Sequence, residues 1–215
     1  MATTLPLNFA FDEHFVAFVI FIICYGLVYI IGRTNIVKRG KTSKNIRELY
    51  RSSFVEGLLL EKGNMQPLQQ LLQNNIAITN ATLTGVIIMS GLLFDQIVSF
   101  ESGIDLARSV AMLILLGHAL LSLLAQIRTM MYIPVVFGTD SKLIKEHQGI
   151  AKHEYLTRLF SSSYMLFSNA MRDIFYLFAL FLWTVSAYMF MLLVFVITFI
   201  IIREETEKRA RITVF

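Results

Sequence analysis

Ionisable side chains beside long apolar runs are the residues of this chain whose types and spacing could carry chemistry. Arg172 and Asp173 are adjacent, and Asn169 lies one helical turn before them, next to an apolar stretch. At membrane depth these residues are candidates for an ion pathway or a ligand contact, because an unpaired charge there costs about 2.5–3.5 kcal/mol on the insertion scale. The alternative, which the sequence leaves open, is an interfacial pair where an amphipathic helix meets the last span.

Two further ionisable residues lie in a third apolar run, His118 near its middle and Arg128 near its inner end. His118 could relay protons or bind a ligand, but a lone histidine among Leu and Ala is more often neutral and hydrogen-bonded to a neighbouring helix. Arg128 could line an anion route, whereas an arginine near a helix end commonly extends to lipid head groups. The structural interpretation is favoured for both residues.

Amides and hydroxyls lead into the second apolar segment, and this polar face is the best pore-lining candidate in the chain. Such groups need partners in hydrocarbon, so the face should point into protein or water. Hydrogen bonding between helices is the competing interpretation, and spacing does not separate the two. The candidates that we select here are Asn75, Asn80 and Thr84.

Signatures of enzymes and of metal sites do not occur in the sequence, which has no phosphate-binding glycine loop, no G-x-S-x-G elbow and no H-E-x-x-H pair. Glu146, His147, His153 and Glu154 share one polar stretch, but their spacing fits a solvated helical face and no metal-ligand pattern. Cys24 is the only cysteine, which excludes a cysteine cluster within one chain. We predict no enzymatic activity, no catalytic residue, no bound metal and no cofactor.

Long apolar segments are the elements that would position these residues. The chain is 56% hydrophobic and 16% charged, whereas soluble domains average about 45–50% and about 25%. About 18 uncharged residues suffice to cross hydrocarbon. No Lys or Arg precedes Arg33, so the first run is predicted to be a retained anchor. The predicted spans are 15–32, 76–100, 109–137, 159–184 and 185–202.

Positive charge predicts the orientation of these spans. Seven Lys and Arg residues follow the first span up to Arg51, which places 33–75 in the cytoplasm and the N-terminus outside. An amphipathic helix is predicted at 43–62, on the inner membrane surface or on the helix bundle. The apolar run 174–202 is long for one span and short for two. The basic tail after Ile202 favours about five spans, which end in the cytoplasm, over the alternative of four.

Three stretches resemble the domain-of-unknown-function 599 family of bacterial and plant multi-pass membrane proteins. They are NIRELYRSSFVEGLLLEKGN with LQQLLQNNIAITNATLTGVIIMSGLL, then IRTMMYIPVVFG, then FSNAMRDIFYLFALFLW with REE at its charged end. The resemblance implies a helical membrane protein of this length, and it brings no established activity or cofactor. It places Arg51, Asn75, Arg128, Asn169 and Arg172 where the family has similar polar residues.

We predict an all-α polytopic transmembrane helix bundle, with residues 1–215 as a single domain. The favoured function is an oligomeric channel-like or transporter-like protein, since a polar face on so few spans needs shelter from lipid. The alternative is an accessory or structural subunit that packs against a larger membrane complex. The predicted partners are the lipid bilayer and a homo-oligomer or larger complex, without nucleic acid. The predicted location is the plasma membrane of a bacterium or archaeon.

Overall fold

The computed structural model describes residues 13–33, 43–60, 66–98 and 103–206, without the side chains of 32–33, 43–48, 92–98, 104 and 205–206. These residues form seven helices and, within the ranges given, no strand. The helices are α1 (Glu13–Arg33), α2 (Ser43–Leu60), α3 (Gln66–Val98), α4 (Gly103–Gly138), α5 (Ser141–Gln148), α6 (Lys152–Leu182) and α7 (Ala187–Thr206).

Four of the described helices are long and apolar enough to cross a bilayer. The segments that meet this condition are 13–31, 105–138, 152–182 and 187–204. α3 adds 33 residues of helix through the predicted polar face. The predicted all-α membrane bundle is therefore confirmed.

The helices extend past the predicted spans. α3 begins ten residues before position 76, and α4 begins six residues before position 109 and continues through Pro134. The last apolar run is divided, because α6 ends at Leu182 and a turn over 183–186 leads into α7. α2 covers the predicted amphipathic helix to Leu60, and the predicted last residues, 61–62, lie outside the described ranges.

The most extensive helix packing joins α4 to α6. Two contacts fix their antiparallel register. At one end, Lys152 Nζ donates to the carbonyls of Phe137, at 2.6 Å, and Thr139, at 2.8 Å. Farther along, His118 of α4 bonds Asp173 of α6. Along this interface, a residue of α4 and the residue of α6 at the same level therefore have numbers that add up to about 290.

Two apolar cores lie along the bundle. One combines buried residues of α1, α4, α6 and α7 around Trp183 and Phe190, and we call its side of the molecule the turn end. The other combines α2, α5, the start of α3, the end of α4 and the start of α6, around Ile133 and Leu156, and we call this side the basal end. α1 packs mainly on α7, and α3 mainly on α4.

The amphipathic helix α2 packs on the bundle. Val55 and Leu58 are buried in the core of the basal end. Phe54 meets Phe160 edge to face with ring centroids 6.5 Å apart, and the Arg51 guanidinium lies 4.3 Å from the ring centroid of Tyr164. Apolar burial and a cation–π contact thus fix α2 against the first half of α6.

Candidate functional site

Asp173 is a buried carboxylate held by side chains from two other helices. It is 2% exposed. The Tyr25 hydroxyl of α1 donates to its Oδ1 at 2.9 Å, and His118 Nδ1 of α4 lies 2.5 Å from its Oδ2. One residue from each of α1, α4 and α6 therefore forms a single polar cluster, which we call the Asp173 cluster.

Aromatic side chains surround the Asp173 cluster on the α1 side. Tyr176, one turn after Asp173, meets the Tyr25 ring edge to face with centroids 5.3 Å apart. Phe21 packs on both tyrosines, at centroid distances of 5.9 and 6.0 Å. This apolar wall excludes water from that side of the carboxylate and strengthens each hydrogen bond to it.

His118 of the Asp173 cluster lies midway between two arginines of α4. Arg108 and Arg128 lie ten residues on either side of His118. At the rise of an α-helix each interval is about 15 Å, and together they match the hydrocarbon thickness of about 30 Å. His118 is therefore at the centre of an interval whose length would suit a membrane span with a charged residue at each end.

His118 connects the buried carboxylate with the periphery of the bundle, since 52% of its side chain is exposed on the single chain. The proton in the His118–Asp173 hydrogen bond can reside on the ring nitrogen or on the carboxylate oxygen. Histidine is also the side chain that changes charge most readily near neutral pH. The arrangement therefore has the donor and acceptor groups to bind and release a proton.

Two more hydrogen bonds hold this region together. One joins α6 to α7, and the other joins the turn after α6 to α1. The Tyr176 hydroxyl and Thr198 Oγ1 of α7 are 2.8 Å apart. Trp183 Nε1 donates to His14 Nδ1 of α1 at 2.9 Å, and its ring stacks on Phe190 at a centroid distance of 4.6 Å. These contacts hold α1 and α7 in place around the Asp173 cluster.

The polar residues predicted beside Asp173 occupy different surroundings. Arg172 is half-buried on a neighbouring face of α6, and Asn169 is half-buried one turn before Asp173. Arg128 is exposed on α4, ten residues and so nearly three turns from His118. The structure thus joins His118 with Asp173, a pairing that the sequence analysis did not anticipate.

The predicted polar face of α3 is largely directed away from the rest of the chain. Asn80 and Thr84 are exposed, and Thr84 Oγ1 bonds the Asn80 carbonyl at 2.9 Å. Asn75 is half-buried and donates to the Leu71 carbonyl at 3.0 Å. These three residues lie apart from the Asp173 cluster, and the hydrogen bonds that join Asn75 to Leu71 and Thr84 to Asn80 stay within α3.

Three residues that the sequence analysis did not select also belong to the site region. Tyr25 supplies a hydrogen bond to Asp173, and its only signal in sequence is a hydroxyl inside an apolar span. Gln126 and Ser163 are buried, and neither Gln126 Oε1 nor Ser163 Oγ has a hydrogen-bond partner among the described residues. No group of three His, Cys, Asp or Glu side chains suited to a metal occurs in the described part of the chain.

The fold and the site define a polytopic helical membrane protein with an Asp–His–Tyr cluster between its helices. A family model described as "Protein of unknown function, DUF599" matches residues 15–210, and the chain belongs to this family. The resemblance noted in the sequence is thereby confirmed. No curated protein and no solved structure matches the chain.

Proposed function

We propose that the protein is an oligomeric channel-like or transporter-like membrane protein in which Asp173 takes up and releases a proton. The observation that carries this proposal is the buried carboxylate of Asp173 between Tyr25 and His118. The activity is transport, not catalysis.

Stability alone is a weak reason for such a cluster. Replacing buried ionic groups by well-packed apolar residues is often neutral or stabilising, so a buried pair brings little net stability. Ionisable residues inside membrane segments are rare and mark ion paths or proton relays. An Asp–His pair that reaches the bundle surface has the chemistry of such a relay.

Oligomerisation would shelter the polar surfaces that the single chain leaves exposed. Half of the His118 side chain and the Asn80 and Thr84 side chains are exposed along helices of the bundle. Lipid tails offer no hydrogen bonds, whereas the same face of a second copy does. A homo-oligomer would enclose these surfaces and could line a continuous path.

The proposed orientation follows the positive residues near the first span. Seven Lys and Arg residues between 33 and 51 support a basal end in the cytoplasm and an N-terminus outside. The proposed location is the plasma membrane of a bacterium or archaeon. In this orientation α2 and α5 are cytoplasmic and the turn over 183–186 faces outward.

A second candidate function, an accessory or structural subunit, is supported by the α3 face. Ala77, Ala81 and Gly85 are exposed at four-residue intervals beside Asn80, which suits close approach by a helix of another protein. In that case the Asp173 cluster has the structural role of joining α1, α4 and α6.

Native gel electrophoresis after mild solubilisation separates the alternatives, because a self-oligomer contains one kind of chain and an accessory subunit migrates with foreign chains.

Proton flux into proteoliposomes tests the transport proposal. The purified protein is reconstituted with an internal pH-sensitive dye, and a potassium diffusion potential drives protons inward. We expect flux above that of protein-free liposomes, and we expect Asp173→Asn to remove it. Asp105→Asn is the matched control, because Asp105 pairs with Arg108 near the start of α4, away from the Asp173 cluster. Wild-type flux equal to that of protein-free liposomes would contradict the proposal.

A further inference from the structure

Gln126 and Ser163 form a second polar feature between α4 and α6, on the basal side of the Asp173 cluster. Gln126 is 3% exposed and Ser163 is 0% exposed. The α4–α6 register puts them at one level, because their residue numbers sum to 289, as do those of Phe137 and Lys152. Two buried oxygen atoms without partners thus lie in one layer of the helix interface.

The Ser163 hydroxyl differs from several threonine hydroxyls of the bundle. Thr79, Thr129 and Thr157 each bond the carbonyl four residues earlier in their own helix, at 2.7–2.9 Å. Such back-bonds satisfy a hydroxyl without any outside partner. Ser163 makes no such bond, and a buried polar atom without a partner costs about 1–3 kcal/mol. Buried water commonly supplies the missing bonds at such positions.

Polar residues lead from this layer to the Asp173 cluster. Ser122 is buried on α4 midway between His118 and Gln126, at intervals of four residues. The whole interval is about 12 Å along the helix, which about three hydrogen-bonded waters would bridge. Ser122 gives such a chain a polar contact at its midpoint.

The same layer lies at the level of the basal membrane surface. Arg128 is exposed two residues after Gln126. On α6, Ser161 Oγ lies 3.5 Å from Arg51 Nη1, and Tyr164 lies under the Arg51 guanidinium. Two arginines at one level are typical of the head-group region, so the Gln126–Ser163 layer would lie close to the water at that surface.

The turn-end half of the interface has the opposite character. Tyr176 is paired with Thr198, and Trp183 stacks on Phe190 in the larger apolar core. Within the described residues, no buried polar side-chain atom without a partner lies in this half. Among the described residues, buried polar atoms that lack a partner therefore lie on the basal side of Asp173 and not on the turn-end side.

We propose that Gln126 and Ser163 bind water and connect Asp173 with the membrane surface at the basal end, so that the site exchanges protons with that side only. The proposal rests on the transport function above and assigns the side from which Asp173 is loaded. The ligand is water, held by the amide oxygen of Gln126 and by the hydroxyls of Ser163 and Ser122.

Thiol reactivity tests the water site without using transport. Single cysteines replace Ser163, Ala170 and Ala179 in a Cys24→Ser background, and the reconstituted full-length proteins react with N-ethylmaleimide. All three positions are 0% exposed on α6. We expect the cysteine of Ser163→Cys to react about tenfold faster than the other two, because the reagent attacks the thiolate and a thiol in dry apolar surroundings scarcely ionises. Equal slow reaction at 163 and 170 would overturn the water site, and fast reaction at 179 would overturn the one-sided access.

Flux measurements on Gln126→Leu and on the neighbouring control Ser162→Ala separate this inference from the transport proposal. We expect Gln126→Leu to reduce proton flux while Ser162→Ala retains it. Unreduced flux in Gln126→Leu would overturn the path through this layer. If wild-type protein conducts no protons but the cysteine at 163 reacts fast, the transport proposal fails and the water site stands. If flux depends on Asp173 and that cysteine stays unreactive, the water site fails alone.

Discussion

The Tyr25 hydroxyl donates a 2.9 Å hydrogen bond to Oδ1 of Asp173, across 148 positions of sequence. This bond joins α1 to α6 inside the bundle, beside the ring contacts of Phe21 and Tyr25 with Tyr176. His118 binds the other carboxylate oxygen from α4. Asp173 is therefore the point at which three membrane helices share one polar group.

Removing the Tyr25 hydroxyl should lower stability and leave the aromatic packing intact. Tyr25→Phe retains the contacts of the ring with Phe21 and Tyr176 and deletes only the bond to Asp173. We expect a loss of about 0.6–2 kcal/mol, the range for single hydrogen bonds between membrane helices. Thermal unfolding in detergent measures it. Tyr50→Phe, at an exposed position on α2, is the control, and an equal shift in both variants would show that the bond contributes nothing.

Trp183 should be the most important side chain of the turn between α6 and α7. It is buried, stacks on Phe190 and bonds His14. Trp183→Ala should cost about 3–5 kcal/mol, as other large aromatic truncations do. Trp183→Phe should cost less, since it keeps the stacked ring and loses the indole N–H. The exposed neighbour Val185→Ala provides the comparison, and a Trp183→Ala protein as stable as Val185→Ala would refute this role.

Arg51 should hold α2 against α6. Its guanidinium stacks on Tyr164, so Arg51→Ala removes a cation–π contact of about 0.5–2 kcal/mol. Hydrogen exchange followed by mass spectrometry should show faster exchange of the α2 amides and unchanged exchange in α4. Arg158→Ala serves as control because Arg158 is exposed and pairs only with Glu154 within α6. Unchanged exchange in α2 would mean that the apolar contacts of Phe54, Val55 and Leu58 hold the helix without Arg51.

The helices could be predicted from sequence because long apolar runs are a strong signal. The turn after Leu182 was placed near its observed position from charge and length alone, since 159–202 contains neither Gly nor Pro. Its contacts come from tertiary structure. Trp183 packs on Phe190, and Thr184 and Val185 donate to the carbonyls of Phe181 and Leu182. Local propensity contains none of this information.

The candidate site could be predicted only in part. Asp173 and His118 were selected individually, since an ionisable group beside apolar residues stands out in any sequence. Their pairing depends on the α4–α6 register, and 55 positions separate them. Tyr25 and the unpartnered Gln126 and Ser163 atoms become recognisable only when packing shows what each side chain faces. Single-residue chemistry is visible in sequence, whereas partnership is a property of the fold.

Infrared difference spectroscopy of the reconstituted protein between acid and alkaline pH tests the central claim most directly. If Asp173 exchanges a proton, the spectrum should contain the carbonyl band of a protonated carboxylic acid, and Asp173→Asn should remove that band while Asp105→Asn leaves it. His118→Gln should shift the band, because the hydrogen-bond partner of Oδ2 changes. A difference spectrum that is the same in wild type and Asp173→Asn would contradict the account and leave the Asp173 cluster a structural contact between helices.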